Sequence, residues 1–230
     1  MSPFHIAIDG PVSAGKGTVS RLVAEKLGFL YVDTGAMYRV TALLAKNHNV
    51  DLTNEPELVK LVMAAKMEMR NPNDQEKDGR LTTVLLDGED VSWKIRTEEI
   101  SAGASKVAAL AEIRKVLVKK QQEIAVGQNV IMEGRDITYR VLPEAQLKIY
   151  LTANDMVRAE RRHFQLQMRG VDVSFEEIYQ DTLERDQRDT TRSADPLQIT
   201  PGAWIVDTTD VEINKVVEMI VAKANVLRAA

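Results

Sequence analysis

The chain has 230 residues, with 44% hydrophobic and 28% charged side chains and a formal net charge of −4. That is an ordinary globular composition, long enough for one sizeable α/β domain with a small insert, and its acidic balance argues against broad binding to nucleic acid. With 0 Cys and 3 scattered His there is neither a disulfide framework nor a zinc pattern, and no apolar run is long enough to span a bilayer.

In chain order, Phe4 to Ile8 reads as a short buried strand ending in the glycine-rich loop IDGPVSAGKGT, Ile8 to Thr18. From Lys16 to Leu27 the apolar residues Val19, Leu22, Val23 and Leu27 repeat at helical spacing, and Gly28 ends the element. A strand follows at Phe29–Val32, then a helix through Tyr38, Thr41 and Leu44. Pro56 opens another helix carrying Leu58, Val59 and Val62. Met69 to Arg96 changes character: turn dipeptides at Asp78-Gly79 and Asp87-Gly88 bracket the strand formers LTTVLL, which predicts a small antiparallel insert within residues 63–96. One long helical stretch is expected from about Glu98 to Ile124. Gln128–Asp136 reads as a strand breaking into a Gly-Arg-Asp turn, and Leu147–Ala153 as an apolar strand. Two polar, Arg-rich helices follow, the first in a region (155–172) expected to act as a lid, the second opened by a Ser174-x-x-Glu177 capping box. Ala203–Asp207 is the last strand, and the closing helix turns Ile213, Val216, Val217, Ile220 and Ala224 inward.

Strands alternating with helices predict a parallel sheet covered on both faces, with ligands at the carboxyl ends of the strands. The loops after Ile8, Val32 and Met132 then open on one edge. In the first of them, Gly10, Gly15 and Lys16 fit a phosphate-binding loop, while Gly17 stands where a hydroxyl usually follows the lysine and Thr18 comes one place late. Backbone N–H groups of Gly10, Pro11, Val12, Ser13, Ala14, Gly15, Lys16, Gly17 and Thr18 (proline excepted) and the helix start would gather on phosphate oxygens. Lys16 would reach the terminal phosphates, and Thr18 or a water would meet Mg²⁺. The competing reading is a plain glycine turn at a helix start.

The acceptor side is carried by DTGAMYR (Asp33–Arg39), EGRD (Glu133–Asp136) and ERDQRDTTR (Glu184–Arg192). Arg185, Arg188, Asp189 and Arg192 share one helical face. Together with Arg39 and Arg135 they offer the bidentate cations that phosphoryl transfer between nucleotides requires. Arg158, Arg161 and Arg162 form a further set that reads equally as a solvated, salt-bridged face. Met63, Met67, Met69, Trp93 and Trp204 read as packing residues.

IDGPVSAGKGT, DTGAMYR, DGEDVSWKIRT, EGRDI and ERDQRD closely resemble the bacterial-type cytidylate kinase family, in the same order and over nearly the whole chain. The resemblance implies a P-loop NTPase-type α/β fold: a parallel sheet with helices on both faces, a small antiparallel β insert on the acceptor side and a helical lid. It implies ATP-dependent phosphorylation of CMP and dCMP with Mg²⁺. Carried over, Ser105, Arg114 and Asp136 would read the cytosine, and Asp189 with Arg185 would hold the sugar. Arg39, Arg135 and Arg192 would grip the acceptor phosphate, with Thr34 and Arg188 beside them. Lys16 and the Gly10–Thr18 backbone would hold ATP, and Arg161 would close from the lid. One departure stands out: the family often has GRDIGT where this chain reads GRDITYR, with Thr138, Tyr139 and Arg140. A P-loop kinase with another nucleotide or a small acid as acceptor, and a nucleotide-dependent switch, remain as alternatives. The expected protein is a cytoplasmic monomer, without signal peptide, nucleic-acid or membrane partner.

Overall fold

The computed structural model describes residues 2–76, 78–168 and 170–229. Lys77, inside the expected insert, and Arg169, inside the expected lid, lie outside the described residues. In chain order the elements are β1 (His5–Asp9), α1 (Lys16–Leu27), β2 (Leu30–Asp33), α2 (Thr34–Asn47), α3 (Glu55–Ala64), β3 (Met67–Arg70), β4 (Thr83–Leu86), β5 (Glu89–Asp90), α4 (Glu98–Val107), α5 (Ala111–Ala125), β6 (Val130–Gly134), β7 (Leu147–Thr152), α6 (Asp155–Gln167), α7 (Phe175–Thr191), β8 (Trp204–Asp207) and α8 (Ile213–Ala229).

The central sheet has 5 strands in the order β2-β6-β1-β7-β8, all parallel. Side chains alternate between its faces with the period of two that a strand imposes. Ile6 and Ile8 of β1 pack with Ile131, Ile149 and Leu151 against α1 and α8. Ala7, Val32, Val130 and Met132 face the other way, onto a cluster built with α2, α3, α4 and α5. Burial on both faces accounts for the nearly continuous apolar runs of these strands. Val216, Val217, Ile220 and Ala224 of α8 turn inward as expected, whereas Ile213 is 49% exposed, because it opens the helix at the rim of the sheet. Met63 is also exposed rather than packed, at 65%, on the solvent side of α3, while Met69 is buried.

The insert is a sheet of 3 antiparallel strands, β3-β4-β5. Its root is fixed by Asn71, whose Oδ1 accepts from Tyr31 N at 3.0 Å and whose Nδ2 donates to Phe29 O at 2.9 Å, along the outer edge of β2. Arg80 ties its tip together, donating to Asp78 at 2.7 Å and Asp90 at 2.5 Å. Trp93, half-exposed, donates its indole N–H to Asp78 at 2.8 Å.

The helix expected from Glu98 to Ile124 is two helices, α4 and α5, broken at Ala108–Leu110. Leu110 is extended, and the freed N–H groups of Glu112 and Ile113 donate to the Glu55 carboxylate of α3, at 2.6 and 3.4 Å. A cap supplied from another helix satisfies the first turn of α5.

Candidate active site

The carboxyl ends of β2, β6 and β1 lie side by side and open on one cleft of about 850 Å³. Val12 to Thr18 line it, as do Thr34, Arg39, Ser105, Arg114, Arg135, Asp136, Arg185, Arg188, Asp189 and Arg192. Arg161 also reaches it, whereas Gly10 and Pro11 do not. Gly10 sits behind the wall because the chain passes against β7 there: a Cβ on Gly10 would stand 1.9 Å from Leu151 O. No side chain but glycine fits.

The loop ends on the N-terminus of α1, which has no side-chain cap and no acid in its first turn. Its partial positive charge is therefore open to an anion. Lys16 is buried and donates to Pro11 O at 2.7 Å, folded back over its own loop. Burial, reinforced by the nearby charge of Arg135, pushes its ammonium down to about 7. Gly17 leaves room for β6: a Cβ there would be 3.2 Å from the Glu133 carboxylate and 3.3 Å from Tyr31 Oη.

Two acids stand directly opposite each other on neighbouring strands, Asp33 and Glu133. Burial works to raise Asp33, but Arg39 at 2.5 Å and Arg96 at 3.0 Å outweigh it and hold the carboxyl below the usual range. Asp33 also caps α2, accepting from Ala36 N at 3.1 Å. For Glu133 burial, with the charge of Asp33, outweighs the nearby Lys16 and Arg135 and raises the carboxyl, and Tyr31 Oη donates to it at 3.0 Å. Thr34 donates its hydroxyl to Glu133 O at 2.7 Å, locking β2 to β6.

Ion pairs hold several of the lining arginines. Arg135 Nε donates to Asp189 Oδ2 at 2.6 Å. Burial would raise Asp189, and Arg135 beside it brings it below its ordinary value. Arg185 has no hydrogen-bond or ion-pair partner among the described residues; burial and the charge of Arg135 lower it to about 10. Arg188 Nε donates to Glu184 O of its own helix, at 3.4 Å. Deeper in, Arg114 is 2% exposed and donates to Asp136, to Asp195 Oδ2 at 2.9 Å and to Ala108 O at 3.2 Å. Burial opposes its charge, but Tyr38, Asp136 and Asp195 outweigh burial and raise its pKa. Asp136 is raised by burial in spite of Arg114. Tyr38 lies against Arg114, whose guanidinium is 5.5 Å from the ring centre, and its buried hydroxyl has no hydrogen-bond partner among the described residues.

Arg158, Arg161 and Arg162 are not one solvated face. Arg158 is buried, pairs with Asp186 at 2.6 Å and donates to Val12 O at 3.2 Å, so it braces the loop. Arg161 is tied to Thr208 after β8, at 2.7 and 3.0 Å, on the loop side of the cleft. Arg162 fits the solvent-facing, salt-bridged reading, pairing with the exposed Glu98 at 2.9 Å.

Sequence reasoning did not single out Asp9, Asp33, Tyr38, Arg96, Glu133 or Asp195. Asp33 and Glu133 stand inside the quoted motifs, where strand-end position was the available signal. Asp9 is fully buried and accepts from Ile137 N and Thr138 N, both at 2.8 Å, and from the Thr138 hydroxyl at 2.6 Å. It holds the π-helical turn Ile137–Val141 that carries the Thr138-Tyr139-Arg140 departure.

Fold and cleft together define a P-loop kinase, in which a lysine-bearing glycine loop and a group of arginines line one cleft at the sheet edge. The family model described as cytidylate kinase matches residues 6–226. The chain is 45% identical to a cytidylate kinase of Caldanaerobacter subterraneus subsp. tengcongensis over 94% of its own length and 92% of that protein. It is likewise 45% identical to one from Pelotomaculum thermopropionicum, covering 96% of each chain. It therefore belongs to the cytidylate kinase family. A solved structure of an uncharacterized protein from Eubacterium ventriosum superposes with a TM-score of 0.52 at 10% identity, over 96% of this chain and 98% of that one, and shares the fold alone.

Proposed function

We propose that the chain transfers the γ-phosphoryl group of ATP to CMP and dCMP, giving CDP and dCDP by in-line displacement. The observation that carries this reading is the buried Arg114–Asp136 pair, which lines the same cleft as Ser105 and the lysine loop. Cytosine presents an amino donor together with N3 and O2 acceptors. Asp136 and Ser105 would accept from the amino group, and Arg114 would donate to the ring edge. Uracil, with an oxygen in place of the amino group, would leave buried acceptors unpaired, which is the stronger form of discrimination.

Arg39, Arg135 and Arg192 would hold the acceptor phosphate, with Arg188 at the rim. Asp189 and Arg185 would hold the sugar. Among the described residues Arg185 makes no hydrogen bond or ion pair, which suits a cation kept for ligand. Lys16 would leave Pro11 O for the transferring phosphates, and its charge would be restored beside them. The acceptor phosphate is itself the nucleophile, so no general base is called for, and positioning with charge stabilisation carries the reaction.

A divalent cation suits this donor set. Among the described residues no group of three His, Cys, Asp or Glu forms a cage; Mg²⁺ would be held mainly by phosphates and water. Thr18 would supply the nearest hydroxyl of the loop. When bound, Mg²⁺ neutralises charge on the transferring group. Arg161 would steady the donor from the Thr208 side, and the α6–α7 hairpin would close over the cleft and keep water out. Among the described residues no helix is long and apolar enough to cross a membrane. We propose a monomer acting on free nucleotides.

The test is a coupled assay of ADP release with ATP and Mg²⁺, offering CMP, dCMP, UMP, AMP and GMP separately. Turnover concentrated in CMP and dCMP is expected. Equal turnover with UMP or AMP would remove the cytosine reading and keep the kinase.

A further inference from the structure

The segment between α7 and β8 carries an unusual residue. Asp195 has φ +47°, a left-handed backbone that a non-glycine residue adopts at a cost, though Asp and Asn bear it better than most. From that position it holds two arginines of the acceptor pocket at once. Its Oδ2 accepts from Arg114 Nε at 2.9 Å. Its backbone carbonyl accepts from both Nε and Nη2 of Arg192, at 2.9 and 2.5 Å.

The three residues by which the turn after EGRD departs from the family all reach this segment. Thr138 Oγ1 and Thr200 Oγ1 lie 2.6 Å apart. The Thr138 hydroxyl proton is already given to the Asp9 carboxylate, which can only accept, so Thr200 is the donor of that contact. Tyr139 Oη donates to Pro196 O at 2.6 Å. Arg140 Nε lies 3.5 Å from Asp195 Oδ1. The departure and the segment Asp195–Thr200 thus form a clasp.

We infer that Asp195 is a positioning residue for the acceptor, held by Tyr139 and Arg140, and that it orients Arg114 through its carboxylate and Arg192 through its backbone carbonyl. This inference rests on reading Arg114 and Arg192 as acceptor-binding groups. A guanidinium has five N–H bonds in a rigid fork. With Nε fixed by Asp195, one Nη1 proton by Ala108 and one Nη2 proton by Asp136, the plane of Arg114 is set before ligand arrives. The remaining protons on its two terminal nitrogens are left for the base. Without Asp195 the fork would rest on Asp136 and Ala108 alone, and Asp136 is also the group that must meet the cytosine amino group.

The experiment is steady-state kinetics on the full chain with CMP, UMP and ATP varied separately, for wild type, Asp195→Gly, Asp195→Asn and Tyr139→Phe. Glycine suits the left-handed backbone, so Asp195→Gly removes the carboxylate and keeps the carbonyl. Its KM for CMP is expected to rise about tenfold or more while KM for ATP moves less than about threefold. Its preference for CMP over UMP should narrow. Asp195→Asn, which can still accept from Nε, should recover part of the loss, and Tyr139→Phe should shift KM for CMP the same way by a smaller factor. An unchanged KM for CMP in Asp195→Gly would overturn the inference, as would a parallel loss for ATP and CMP without rescue by asparagine. If Asp195→Gly is insoluble, Asp195→Asn and Tyr139→Phe carry the test, and two wild-type KM values for CMP would sink it. A wild type that does not phosphorylate CMP would instead remove the acceptor reading itself.

Discussion

Arg135 and Asp189 join the turn after β6 to α7 across the cleft, with Nε donating to Oδ2 at 2.6 Å. The pair pre-positions a planar fork at the place proposed for the acceptor phosphate. Arg135→Lys keeps the charge and loses the fork, so kcat is expected to fall about 10²- to 10³-fold while KM for ATP changes little. Steady-state assays with CMP saturating measure this; a loss below about threefold would mean that charge alone suffices.

Lys16 gives a pH prediction. Burial, with Arg135, holds its ammonium at about 7 in the free protein. At pH 8.5 most of it is neutral, and a bound triphosphate would draw a proton back. ATP binding at that pH should therefore take up close to about one proton. Calorimetry in buffers of different ionisation enthalpy reads the number directly. Zero uptake at pH 8.5 would show that Lys16 is already charged before ATP arrives.

Asp9 makes a statement about stability. Burial raises it from 3.8 to about 6. For an acid raised on folding, the protonated form favours the folded state. Its contribution is present below pH 3.8 and is lost as pH rises through about 6. Asp9→Asn cannot titrate, and its amide would face Thr138 N–H donor to donor. That variant should be less stable than wild type by about 1–3 kcal/mol at pH 7 and should lose the wild-type dependence between pH 4 and 6. Chemical denaturation across this range decides it; an identical pH dependence in both proteins would refute the assignment.

Gly10→Ala places a methyl group 1.9 Å from Leu151 O. Backbone must move on one side, and the neighbouring strands are packed. The expected cost is about 3 kcal/mol or more, seen as a lowered melting temperature or loss of soluble protein. A melting temperature equal to wild type would show that β7 yields.

The regular part of this fold was legible because it rests on local rules. Val19 and Val23 on one helical face, the Ser174–Glu177 capping box and the apolar strands each carry their own signal. The helix break at Ala108–Leu110 was not legible. It contains no glycine or proline, and the group that caps α5 is Glu55, 57 residues away from Glu112. Tertiary contacts overrode a sequence that locally favours helix.

The cleft followed the same division. Loops at strand ends could be placed on one edge, so the motifs carrying Lys16, Arg39 and Arg135 were expected to open on one cleft, and all three residues line it. Asp195 could not be found, because its role comes from a backbone angle and from a contact with Arg114, 81 residues distant. Arg158 was undecided for a like reason: its burial under the loop depends on how α6 packs against α7, through Asp186.

Asn71 has a bearing on how the molecule behaves in a crowd. β2 is the last strand on its side of the sheet, and an unpaired strand edge invites another chain to add to it. The Asn71 amide imitates one residue of a missing neighbour, taking up both the N–H of Tyr31 and the carbonyl of Phe29. The root of the insert thereby blunts an open margin, and the same few residues that carry the insert also keep this side of the sheet from templating aggregation.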